Sequence, residues 1–376
     1  MTGDGRAVIS AAKQLVVKIG SSSLTTLQGD INEARIAELA DVLAARTATG
    51  TKVVLVSSGA TAAGLPVLGL TRRPRQLAAQ QAAASVGQGL LMARYMAAFA
   101  SHGLRAAQLL LTVDDLMHRV RYRNAQRTLQ QLLYFGVMPV VNENDTVATE
   151  RLRFGDNDRL AALVAHVLRA DALLLLSDVD ALYDGQPGRE GARRITEVRS
   201  QHDLAGVRLG RADPNGVGSG GMATKVEAAF IAATAGIPTV VAAAADVRAA
   251  LAGSPTGTYF VPDQQRPSSR LLWLAHATVG RGQLTLDAGA VEAVTARRAS
   301  LLPAGITAVS GRFEVGDPVD VCDESGRLVA RGLVSYDAAE IPRLMGRSTH
   351  WLVRENGHGY HREVIHRDAM VVLTGP

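Results

Sequence analysis

Residues 137–146 read VMPVVNENDT, and residues 154–168 read FGDNDRLAALVAHVL. The first stretch opens as a short apolar run and turns polar at Asn142-Glu143-Asn144-Asp145-Thr146. The second is polar at Gly155-Asp156-Asn157-Asp158 and then places apolar residues at helical spacing through Leu168. The run reads as a strand and the spacing as a helix. Strand, polar junction and helix in succession point to an open α/β sheet, where ligands bind beyond the carboxyl ends of strands. Capping of the helix by Asp156 or Asn157 accounts for one of these polar residues and not for the rest. The cluster suits a charged amino group, or the holding of a metal ion and lysines.

The alternation continues on both sides. Upstream, residues 15–17, 53–56 and 108–111 read as strands, with helical spacing over 32–45, 76–99 and 123–135. Gly87 and Gly89 are expected points of close packing within the second of those helices. Downstream, residues 172–176 and 238–241 read as strands, and 224–235 as a helix. The fold class expected is α/β, a mainly parallel sheet sandwiched by helices. Beyond a stretch with Pro262, Pro267, Ser268 and Ser269 come short runs broken by glycine, at 282–286, 319–321 and 328–332. They predict a small β-rich domain. The expected boundaries are 1–265 for the first domain, 266–280 for a linker and 281–376 for the second.

Composition narrows the class. The chain has 376 residues, enough for about two domains. One cysteine, Cys322, excludes an intrachain disulfide and any multi-cysteine metal site, and fits a reducing compartment. Residues 1–12 carry no apolar signal core, and no apolar run approaches about 18 residues. A cytoplasmic location with no membrane partner is therefore expected. A net charge of +5 over this length is weak as a pointer to anionic partners.

Three further strand ends carry polar or glycine-rich chemistry. In Val17-Lys18-Ile19-Gly20-Ser21, the glycine lets backbone N–H groups approach phosphate oxygens and Lys18 can neutralise charge. Taken alone, it reads more readily as an ordinary turn with a snorkelling lysine. In Val56-Ser57-Ser58-Gly59-Ala60, small residues leave room for a ligand, though turn chemistry explains them as well. In Leu176-Ser177-Asp178, the acidic residue either meets a nucleotide or closes a turn. A fourth stretch, Gly216 to Lys225, opens a helix with glycine-rich backbone, a cradle for phosphate. It follows no strand and lacks the Gly-Lys-Ser/Thr order, so neither the dinucleotide fingerprint nor the Walker A loop describes it. Lys225 reaching a transferred phosphate fits better.

Taken together and in this order, these motifs resemble the amino acid kinase family. The Asn-Glu-Asn-Asp and Gly-Asp-Asn-Asp pair resembles its glutamate-kinase branch. Residues 300–306 (SLLPAGI) and 311–313 (GRF) look like part of the PUA domain that many of those bacterial kinases carry. The resemblance implies the amino acid kinase fold followed by a PUA barrel. It implies ATP-dependent phosphorylation of the L-glutamate side-chain carboxylate to L-glutamyl 5-phosphate, the first step of proline biosynthesis. Lys18, Lys225 and Asp158 are the implied catalytic residues. The implied ATP-binding residues are Lys18, Gly20, Ser177, Asp178, Ser219, Gly220, Gly221, Met222, Ala223, Thr224 and Lys225. Ser58, Asp145 and Asn157 are the implied glutamate-binding residues.

No metal held by the protein itself is expected; Mg2+ enters with the nucleotide. The resemblance also implies a homo-oligomer (dimer or tetramer), feedback inhibition by proline, and functional coupling to glutamyl phosphate reductase. RNA binding by the PUA domain is a partner that the sequence does not support, because clustered aromatics with arginines are missing. The alternatives are acetylglutamate, carbamate, aspartate or UMP kinase activity, or an RNA-binding protein with a vestigial kinase domain.

Overall fold

Runs such as LVVKI and ALLLLS have no polar face to offer water, so both faces of each strand have to be covered. The computed structural model describes residues 5–26, 30–117, 119–147, 156–185, 192–207, 221–263, 274, 280–347, 351, 354 and 363–373. The chain divides into two compact units, Met1–Arg266 and Pro267–Pro376. The expected linker lies outside the described residues except for Leu274 and Gly280.

In chain order the first unit runs α1 (Ala7–Ala11), β1 (Gln14–Ile19), α2 (Glu33–Ala48), β2 (Lys52–Ser57), α3 (Ala60–Gly64), α4 (Leu77–Ala100) and β3 (Arg105–Leu111). It continues with α5 (Val113–Met117), α6 (Arg119–Tyr134), β4 (Val137–Glu143), α7 (Asp156–Leu168), β5 (Ala172–Ser177), β6 (Leu182–Tyr183) and β7 (Arg194–Ile195). It ends with β8 (Glu197–Val198), α8 (Met222–Thr234), β9 (Thr239–Ala243), α9 (Val247–Leu251) and β10 (Thr258–Phe260). The described strands form an eight-stranded sheet in the order β3-β4-β2-β1-β5-β9-β10-β8. Its pairings are parallel except where β10 runs antiparallel to β9. The carboxyl ends of β4, β2, β1 and β5 therefore come to one edge of the sheet.

Period-two alternation assigns the two faces. Leu15, Val17 and Ile19 join Leu55, Leu174 and Leu176 in one core cluster, together with Ile36, Leu39 and Leu43 of α2. Val16 and Lys18 point to the opposite layer, which α7 covers. Helix α2 starts where Asn32 accepts a hydrogen bond from the Arg35 amide at 3.1 Å, an N-cap. Strand β3 begins at Arg105, three residues ahead of the expected 108. Ala106 and Ala107 are weak strand formers, and pairing of Arg105 with Val137 decides the extension. Helix α6 likewise begins at Arg119 rather than 123.

Helices α3 and α4 cross backbone to backbone. A Cβ on Gly87 would stand 1.8 Å from the Ala60 carbonyl oxygen, and one on Gly64 would stand 1.9 Å from that of Ala83. The expectation of close packing is thus met at Gly87 and not at Gly89, where a Cβ meets nothing within 4 Å. Gly59, just before α3, has φ +107, a left-handed conformation that glycine adopts without strain. Among the described residues no helix is long and apolar enough to cross a membrane.

The second unit is a five-stranded sheet, β11 (Gly282–Leu286), β12 (Ile306–Gly311), β13 (Pro318–Asp323), β14 (Leu328–Leu333) and β15 (Met370–Val372), in the order β12-β11-β13-β14-β15. Helix α10 (Ala288–Thr295) and helix α11 (Ile341–Leu344) belong to it. Its own core contains Leu284, Leu286, Val319, Val321, Ile341, Val364 and Ile365.

Gly87→Ala is expected to destabilise the protein by about 1–3 kcal/mol, because the methyl group meets backbone that cannot turn away. Gly89→Ala should leave the unfolding temperature unchanged or raise it, since alanine is the better helix former. Thermal unfolding of the two variants beside the parent checks the contrast.

Candidate active site

Lys18 is the fifth residue of β1, between Val56 of β2 and Leu175 of β5. Asp158 stands in the first turn of α7, and Lys225 in the first turn of α8. Sheet alternation turns Lys18 toward these helix ends. Its Nζ lies 2.6 Å from Asp158 Oδ1, and Lys225 Nζ lies 3.3 Å from Asp158 Oδ2. Thr224 Oγ1 is 2.8 Å from the same Oδ2. All three charged residues are buried.

Burial pushes the Lys18 amine below its ordinary value, and the Lys225 charge adds to that; Asp158 opposes both. Burial alone would raise the Asp158 carboxyl, but Lys18 and Lys225 together hold it below the ordinary carboxylate range, helped by the Thr224 hydroxyl. Asp158 is therefore ionised, and by formal charge one carboxylate faces two lysines away from water. A surplus buried cation is costly until an anion joins it. Gly20 makes room for that anion: a Cβ there would sit 3.7 Å from Lys18 Nζ. The first turn of α8 adds Met222, Ala223 and Thr224 after the extended Gly221, and a helix N-terminus of this kind suits an anion. The donor set fits the phosphates of a nucleotide. Ser219 and Gly220 lie outside the described residues.

A second, neutral cluster adjoins the first through Asn157, the neighbour of Asp158. Asn157 Nδ2 donates to Ser58 Oγ at 2.9 Å and to Asn142 Oδ1 at 2.9 Å. Its Oδ1 accepts from the Glu143 amide at 3.2 Å. The ends of β2 and β4 and the start of α7 are joined in this way. Asp145 follows on a half-buried turn, where burial raises its carboxyl and Arg73 pulls the other way. Ser177, buried at the end of β5, donates to Asp178 Oδ1 at 3.1 Å, and Asp178 is exposed.

Lys18, Gly20, Asp158, Thr224 and Lys225 thus come together, as do Ser58 and Asn157. Two contacts escaped the sequence. The Tyr95 hydroxyl lies 2.8 Å from Ser57 Oγ, and Asn142 Nδ2 donates to Gln88 Oε1 at 2.7 Å. Both partners sit on α4, whose alanine-rich sequence reads as packing. The available signal was a glutamine on the buried stripe, at 88 beside Gly87.

Lys18 loses its charge as pH rises through a depressed pKa. The alkaline limb of kcat/KM for ATP, which reports the free enzyme, is expected below the ordinary lysine value of about 10.4. The depressed Asp158 value contributes stability above about pH 4 and withdraws it as pH falls through the folded-state pKa. A pH–rate profile of the parent beside Lys18→Arg checks the first point; a limb at or above the ordinary value would contradict it.

The amino acid kinase family matches residues 13–243, and the PUA domain matches residues 282–354. A glutamate 5-kinase from Thermobifida fusca (strain YX) is 65% identical over 372 residues, covering 99% of this chain and 96% of the relative. A glutamate 5-kinase from Streptomyces coelicolor is 60% identical over 368 residues, covering 98% of each. The solved carbamate kinase from Giardia lamblia bound to AMP-PNP covers 68% of this chain and 100% of its own, with a TM-score of 0.50 and 19% identity. That likeness is one of fold. Because the high identity to curated relatives runs through both units and not the kinase sheet alone, the chain belongs to the amino acid kinase family and, within it, to the glutamate 5-kinases.

Proposed function

We propose that the protein transfers the γ-phosphoryl group of ATP to the side-chain carboxylate of L-glutamate, giving ADP and L-glutamyl 5-phosphate, the first step of proline biosynthesis. The observation that carries this is the adjacency of a buried cationic trio, Lys18–Asp158–Lys225, to the Ser58–Asn157 pair. The first suits an anion whose charge shifts during transfer. The second offers neutral donors and acceptors for an amino acid.

The chemistry asks little covalent help from the protein. A carboxylate is already ionised at pH 7 and needs no general base. In-line positioning and charge neutralisation then carry the rate. Lys18 and Lys225 flank the transferring group, and Asp158 holds the two ammonium groups apart and in place. Gly20 and the glycine-led start of α8 admit phosphate oxygens, while Ser177 and Asp178 border the nucleotide. Mg2+ entering with ATP would neutralise phosphate charge when bound.

Asp145 suits the α-ammonium group of glutamate, because a cation in a closed site requires a partner. Acetylglutamate has no such charge, which weighs against it as acceptor. UMP would want further basic side chains beside the acceptor pocket. The vestigial-kinase alternative is opposed by the intact lysine–aspartate–lysine set.

The same function accounts for the remaining expectations. The enzyme works in the cytoplasm as a homo-oligomer. Proline, the end product of the route, inhibits by feedback at the glutamate pocket. An acyl phosphate hydrolyses readily in water, so coupling to glutamyl phosphate reductase would protect the product.

ADP release measured against a panel of glutamate, aspartate, acetylglutamate, carbamate and UMP tests the acceptor. Glutamate is expected to give the highest kcat/KM, and turnover confined to another member would overturn the assignment. Lys225→Ala should lower kcat by roughly 10²–10³-fold with a small change in the KM for glutamate, since the lysine meets charge that grows in the transition state. Near-normal turnover in that variant would remove Lys225 from the chemistry.

A further inference from the structure

The amide of Asn142 sits at the end of β4 with 2% exposure, and it makes hydrogen bonds at both ends. Its Oδ1 accepts from the Glu143 amide at 2.9 Å and from Asn157 Nδ2 at 2.9 Å. Its Nδ2 donates to Gln88 Oε1 at 2.7 Å. An amide side chain and its flipped form have nearly the same shape, so packing does not choose between them; hydrogen bonding does. The Glu143 N–H is a backbone donor and cannot exchange roles. Gln88 Oε1 supplies the acceptor that the other end of Asn142 needs.

We propose that Gln88 is a positioning residue of the acceptor site: its carbonyl holds the Asn142 amide, which in turn sets Asn157 and Ser58 for the amino acid. This rests on the assignment of Ser58 and Asn157 to the glutamate pocket. Without the Gln88 acceptor, Asn142 Nδ2 is a buried donor lacking that bond. A flip of the amide would set its Nδ2 against the Glu143 N–H and Asn157 Nδ2, both donors, so Asn142 instead shifts toward another acceptor, and the shift loosens its bond to Asn157. Asn157 Nδ2 then loses one of the acceptors that aim it at Ser58 Oγ.

The helix that carries Gln88 is built to hold it still. Gly87, the preceding residue, rests directly on the Ala60 carbonyl and the Gly64 amide of α3. Two turns further along α4, the Tyr95 hydroxyl reaches Ser57 Oγ at 2.8 Å, and that Oγ lies 3.0 Å from the Ser58 carbonyl oxygen. Burial pushes the Tyr95 phenol up, so it keeps its proton. One helix thus grips the pocket at two places, the β4 end through Gln88 and the β2 end through Tyr95. The hydrogen bond of Gln88 goes to Asn142, while the lysine–aspartate trio is held by its own members and Thr224.

The test uses the full chain with Gln88→Met, which keeps length and removes the acceptor, and Gln88→Glu, which keeps an acceptor toward Asn142. Ser58→Ala and Asn157→Ala run beside them. Glutamate and ATP are varied separately, and thermal unfolding is recorded for each variant. Gln88→Met is expected to raise the KM for glutamate about tenfold, the factor that one unsatisfied buried donor supplies. The KM for ATP should move less than about twofold, and Gln88→Glu should restore most of the lost glutamate affinity.

An unchanged KM for glutamate in Gln88→Met, or equal rises for both substrates, overturns the proposal. If Gln88→Met does not fold, Gln88→Glu decides: a KM for glutamate near the parent's supports the proposal, and a tenfold rise overturns it. If neither Ser58→Ala nor Asn157→Ala raises that KM, the pocket lies elsewhere and the positioning role falls with it. If both raise it while Gln88→Met does not, the pocket stands and the Gln88 role alone is overturned.

Discussion

The contact of Asp158 with two lysines is the constraint on which the site depends. Breaking a buried pair by removing one partner costs roughly 3–5 kcal/mol, because it strands a charge out of water. Here one carboxylate serves two ammonium groups, at 2.6 Å and 3.3 Å, and a residual positive charge stays in the protein interior. That arrangement is poor as a stabilising device and good as a receptor for anionic phosphate. The first turns of α7 and α8 have to meet over the end of β1 for it to exist. The sheet order, which sets β1 between β2 and β5, makes that meeting possible.

The neutral half of the site follows from the same geometry. Asn157 is adjacent in sequence to Asp158, so the turn that delivers a carboxylate to the lysines also delivers an amide toward Ser58. Donor and acceptor regions are therefore not independent modules. They share one helix terminus, and α4 braces the acceptor side from the flank. The glycine contact between α3 and α4 belongs to the same device, since any separation of those helices would move Gln88 and Tyr95 together.

The strand ends were legible because each pairs an apolar run with polar residues that no core could absorb. Lys18 after three buried strand residues, and Asp158 before a run of alanine, leucine and valine, stand out by charge alone. The expected division of the chain also follows from texture, since residues after 263 change from helical spacing to short runs broken by glycine. The start of β3 was not legible, because alanines at 106 and 107 carry little strand preference. Nor was the role of Gln88, because a glutamine on a helix signals nothing until its partner across the fold is known.

By itself, then, the amino-acid sequence determined the alternation of strands and helices, the glycine positions and the charged residues at the strand ends, since these depend on local periodicity and residue chemistry. It separated the family branch through two short acidic-amide motifs. The tertiary structure alone decided which of those residues meet. Lys18 and Lys225 are far apart in the chain and share one carboxylate because the first turns of α7 and α8 meet over the end of β1. Gln88 and Asn142 are 54 residues apart and meet across the fold, on a helix that two glycines let pack against α3 at the backbone. Contacts between distant segments depend on register and packing distance, and no local pattern encodes either.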